Sequence, residues 1–129
     1  MGRVRAYRIL AECERRFGAF SWHVGVSFMD RVALDFDVHP GAVQLEEMAT
    51  DLSRQTDSEV LAFESGGGGI WLVSADACPP AVWERVYRQW IEDAPAGLDR
   101  VHAELSLKYG KTTLRVSGTK RHGKRPRLV

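Results

Sequence analysis

Phe20-Ser21-Trp22-His23-Val24-Gly25-Val26-Ser27-Phe28 is followed, after Met29-Asp30-Arg31, by Val32-Ala33-Leu34-Asp35-Phe36-Asp37-Val38. In both stretches large apolar residues alternate with small or polar ones, the period of a strand that buries one face and wets the other. If the two strands form a hairpin, their apolar residues must share a face, so facing residues must have numbers that sum to an even value. A loop at Met29-Asp30-Arg31 meets that condition. It puts Phe28 opposite Val32, Val26 opposite Leu34 and Val24 opposite Phe36, and on the polar face His23 opposite Asp37 and Gly25 opposite Asp35.

On either side of this hairpin the periodicity changes. Ala6, Leu10, Cys13 and Phe17 recur at helical spacing, which predicts a helix over 3–17. After His39-Pro40-Gly41, the stripe Ala42, Leu45, Met48, Ala49 and Leu52 predicts a helix over 42–56, with Glu46 and Glu47 early, where the helix dipole favours them. Two apolar runs at 59–64 and 70–75 flank Gly66-Gly67-Gly68-Gly69 and read as a second hairpin, with Phe63 opposite Leu72 and Glu64 opposite Trp71. Pro79-Pro80 opens a helix carrying Trp83, Val86, Tyr87, Trp90 and Ile91 on one stripe, and Ala94-Pro95-Ala96-Gly97 closes it. Val101, Ala103, Leu105, Leu107 and Tyr109 then alternate with polar residues. They predict a strand turning at Gly110-Lys111 into a last strand in which Leu114 and Val116 face Leu107 and Leu105.

The expected fold class is therefore α+β: a largely antiparallel sheet of about six strands in three hairpins, with about three helices on one face. Residues 31–109 run strand-helix-strand-strand-helix-strand, the order of a ferredoxin-like core. The chain has 129 residues, 44% of them hydrophobic and 27% charged, which suits one folded domain. We expect that domain over 1–118 and a flexible basic tail over 119–129. Two distant cysteines, Cys13 and Cys78, make no disulfide framework and read as small buried hydrophobes. No stretch approaches the ~20 apolar residues of a membrane helix, and no signal-peptide run follows the first residues, so a cytoplasmic protein with no membrane partner is expected.

The net charge of +1 conceals an uneven distribution: +3 over residues 1–16, +7 over 111–129 and −9 between. Basic ends on an acidic body reach for an anionic partner or fold back on the body. Lys120, Arg121, Lys124, Arg125 and Arg127 are the candidate phosphate contacts. Asp35 and Asp37, two residues apart on a strand, project to one side and could together hold Mg²⁺ or Mn²⁺. No other cofactor is indicated. Glu104 and the histidines of the polar face are possible neighbours. The glycine run lies between two strands and lacks a following Lys-Ser or Lys-Thr, so it is not a P-loop. No Ser-His-Asp or Cys-His nucleophile set emerges. With helices on one side of the sheet, Val60, Ala62, Trp71 and Val73 fall on the other and form a candidate protein-binding patch.

Asp35-Phe36-Asp37, then His39-Pro40-Gly41, a helix and Ser65-Gly66-Gly67-Gly68-Gly69 resemble the core of the archaeo-eukaryotic primases and polymerases over about residues 33–75. The resemblance implies a metal-dependent nucleotidyl-transfer site on the Asp-x-Asp pair, with Glu104 as the third acid. Trp71 stands where that family carries its nucleotide-binding histidine, and the chain is very short for a polymerase.

Three functions are expected from these features. The leading one is a non-enzymatic small binding protein (an inhibitor, immunity protein, adaptor or phage accessory factor) that acts through a protein–protein surface, with the basic tail assisting an anionic partner. The partner could also be a second copy of the chain. The alternatives are a nucleic-acid binder using the basic termini and a metal-dependent enzyme centred on Asp35 and Asp37. The tail reading is directly testable: five Lys or Arg over 119–129, with no acid, should give a log–log salt slope for duplex DNA of up to about −4 to −5. Deleting 119–129 should erase most of it, and a slope unchanged by the deletion would remove the tail from any nucleic-acid role.

Overall fold

A computed structural model describes residues 25–38, 40–65, 68–115 and 127–129. Their elements, in chain order, are β1 (Gly25–Phe28), β2 (Ala33–Phe36), α1 (Ala42–Thr56), β3 (Val60–Glu64), β4 (Ile70–Ser74), α2 (Pro80–Asp93), α3 (Arg100–Tyr109), β5 (Thr112–Arg115) and β6 (Arg127–Leu128). The architecture is α+β, with antiparallel strands throughout and the strands divided between two sheets. No helix among the described residues is long and apolar enough to cross a membrane. The helix expected over 3–17 lies outside the described residues, as do Cys13, Trp22 and His23.

The first expected hairpin does not form. β2 pairs with β4, placing Asp35 opposite Trp71 and Leu34 opposite Leu72. β1 pairs instead with β5, so that Phe28 faces Thr112, Val26 faces Leu114 and Gly25 faces Arg115. Ser27 and Thr113 add a side-chain hydrogen bond of 2.6 Å across this pair. Alternation alone locates strands but leaves their partners open, and here both strands prefer partners far away in sequence. The larger sheet has the order β2-β4-β3-β6, so the third strand of the strand-helix-strand-strand run inserts between the first two, as in a split βαβ unit. The fourth strand of a ferredoxin-like core is absent among the described residues. The outer edge of β2 carries only a single bridge, Phe36 to Leu98.

The second hairpin forms with a register one residue away from expectation. Phe63 faces Trp71 and Ala62 faces Leu72. A shift of one residue moves a strand's whole side-chain set to the other face. Val60 and Ala62 accordingly lie with Leu34, Phe36, Ile70 and Leu72 against the helices, and not with Trp71 and Val73. Gly69 holds this hairpin close to β2, since a Cβ there would sit 2.1 Å from the Phe36 carbonyl oxygen.

α1 and α2 occupy their expected spans. Met48 and Leu52 of α1 and Trp83, Val86, Tyr87 and Trp90 of α2 pack onto Val32, Leu34, Phe36, Ile70 and Leu72. Cys78 is buried in the same core. Residues 101–109, expected as a strand, are helix α3. Asp99 caps its start by accepting the His102 backbone N–H, and Gly110 ends it at φ +67°, its N–H donating to the Ser106 carbonyl. Gly110 is thus a helix C-cap and not the first residue of a hairpin turn. The apolar alternation in 101–109 coexists with a helical stripe, Ala103, Ser106 and Leu107. Ala, Glu, Leu and Lys are strong helix formers, and the two caps decide the outcome.

The last three residues are also placed. Leu128 faces Phe63, Arg127 faces Glu64, and the Val129 N–H donates to the Ala62 carbonyl at 2.8 Å. The part of the expected tail at 127–129 therefore lies along the edge of β3, while residues 119–126 fall outside the described residues.

Helix and strand readings of 101–109 both bury Ala103 and differ on Leu105, which only the strand would bury. Ala103 is fully buried and Leu105 is exposed. Ala103→Leu should cost about 1–3 kcal/mol by overpacking, whereas Leu105→Ala should stay within about 0.5 kcal/mol. Urea denaturation of both variants checks this, and equal costs would restore the strand.

Candidate metal centre

Asp35 in β2 and Asp37 just beyond its end direct their backbone groups away from β4, toward the segment that joins α2 to α3. The Asp37 N–H donates to the Gly97 carbonyl and the Asp99 N–H donates to the Asp35 carbonyl, each at 2.8 Å. With Phe36 bridged to Leu98, the segment 97–99 runs antiparallel to β2 and brings Asp99 opposite Asp35. Opposed residues share a face, and so do residues two apart on a strand. Asp35, Asp37 and Asp99 therefore meet on the sheet face opposite the helices, each offering a carboxylate oxygen within 4.8 Å of the others.

Their surroundings differ. Asp37 is exposed; Asp35 and Asp99 are partly buried. One Asp99 oxygen already accepts the His102 N–H at 3.0 Å. Trp71 stands directly opposite Asp35 on the neighbouring strand. Burial pushes the Asp35 carboxyl up from 3.8 to about 6. The charges of Asp99 and Asp37 add to the rise, while His102 and the neighbouring Trp71 side chain oppose it. The His102 ring sets its Nε2 2.9 Å from the Thr113 carbonyl oxygen, and its buried Nδ1 has no partner among the described residues.

Three carboxylates offer only hard oxygen donors. Oxygens that lie about 2.1–2.5 Å from one ion are at most about 5 Å from one another, so the spacing and chemistry fit Mg²⁺, Mn²⁺ or Ca²⁺. Glu104, expected as the third acid, is instead an exposed residue of α3, 3.4 Å from Arg100. The third acid is Asp99, which the sequence reading passed over between a helix terminator and a supposed strand. Its signal was local: an Asp directly before a run of helix formers is an N-cap.

The expected protein-binding patch is not assembled. Val60 and Ala62 belong to the helix-covered face, and Trp71 and Val73 are only 8% and 7% exposed. Of the candidate phosphate contacts, Lys120, Arg121, Lys124 and Arg125 lie outside the described residues, and Arg127 sits in β6. No family model, no curated protein and no solved structure matches this chain. The likeness to primase and polymerase cores rests on the quoted residues alone.

The raised Asp35 carboxyl has a consequence for stability. The folded protein keeps this proton up to about pH 6, whereas the unfolded chain releases it near 3.8. Its contribution is therefore complete below the unfolded value and is lost as pH rises through about 6. In chelator, the stability of the wild type relative to Asp35→Asn should decline from pH 5 to pH 7.5 in urea titrations. A constant difference between the two would mean that the carboxyl titrates as it does in water.

Proposed function

We propose that this protein binds a divalent cation through Asp35, Asp37 and Asp99 and uses it to engage a phosphate-bearing ligand of the nucleotide type. The observation that carries the reading is the meeting of the three carboxylates on one sheet face. A bound cation would supply charge neutralisation and Lewis acidity toward phosphate oxygens. The chain's own residues have distinct tasks. Asp37, the exposed acid, faces the side from which a ligand arrives. Trp71 packs opposite Asp35, and the α3 cap fixes Asp99. The Asp-x-Asp resemblance makes nucleotidyl transfer the reaction class to assay first.

Melting curves test this reading. Millimolar Mn²⁺ or Mg²⁺ should raise the melting temperature, by the equivalent of about 2.7 kcal/mol at a hundredfold excess over Kd. Asp35→Asn and Asp99→Asn should each abolish the rise, while Glu104→Gln should keep it. A nucleoside triphosphate should add a further rise only when metal is present. Unchanged melting with metal would leave the acids as surface charges.

A protein-binding reading retains one observation in its favour, at a different place from the expected patch. Val101, Leu105 and Tyr109, on successive turns of α3, are 65%, 45% and 64% exposed. Three apolar side chains in a line on a soluble surface are the usual mark of a contact site. Leu105→Glu should leave urea stability within about 0.5 kcal/mol of wild type. It should also abolish any self-association seen by light scattering at high concentration. Association that survives the substitution would exclude this stripe.

A further inference from the structure

We draw no further inference here: the strongest candidate, the groove between α2 and α3 lined by Arg88, Ile91, Glu92, Arg100, Glu104 and Leu107, carries nothing because no feature of the structure shows what covers it.

Discussion

The outer edge of β2 must be closed, and the fold is organised around how that is done. A strand buried at the centre of a domain cannot leave its peptide groups without partners. β4 serves one edge of β2. On the other edge there is no full strand among the described residues, and the task is shared. The Tyr87 hydroxyl takes the Ala33 N–H at 2.9 Å and lies 2.8 Å from the Ala33 carbonyl oxygen, to which it donates. It also contacts the Thr112 hydroxyl of β5, so one side chain from α2 joins the two sheets. Gly97 and Asp99 serve the peptide groups of Asp37 and Asp35. Burial holds the Tyr87 phenol protonated, pushed up to about 12, which suits a group that must donate at every physiological pH.

This edge also explains which parts of the fold were legible in the sequence. Helices α1 and α2 were, because their stripes are local and Pro80 and Gly41 mark their starts. The positions of β2, β3 and β4 were legible for the same reason, whereas the strand expected over 101–109 is helix α3. Pairing was not: β2 could meet β1 across four residues or β4 across more than thirty, and alternation permits both. The second hairpin failed more narrowly, since both of its faces are apolar. Where polar residues do not mark one face, a one-residue slip carries no obvious penalty in the sequence, and Val60 and Ala62 were put on the wrong side.

Residues 97–110 show the same competition on a smaller scale. Val101, Ala103, Leu105, Leu107 and Tyr109 do alternate, but Val101, Leu105 and Tyr109 remain exposed and only the helical stripe is buried. The two caps, Asp99 and Gly110, outweigh the alternation. Reading them would have placed the helix and marked Asp99 as its N-cap, though not as a neighbour of Asp35. Of the candidate centre, Asp35 and Asp37 were visible in the sequence as a pair. Asp99 was not, because its place beside them depends on the closure of β2 by a segment some sixty residues later.

Closing that edge requires backbone groups at positions 35, 37 and 99, not three carboxylates. Asp99 has a separate structural duty as the cap of α3. Asp35 and Asp37 do not: among the described residues, no hydrogen bond or ion pair made by either carboxylate holds two elements of the fold together. Asp35 sits partly buried, beside two other acids, on a face where Phe63, Trp71 and Val73 are buried. Burial and mutual repulsion both oppose its ionisation. An arrangement that destabilises the folded domain without serving its hydrogen bonds is the pattern expected where a ligand supplies the missing favourable interaction. A divalent cation would offset the cost of burial by pairing the charge, and would replace mutual repulsion with attraction to a shared counterion.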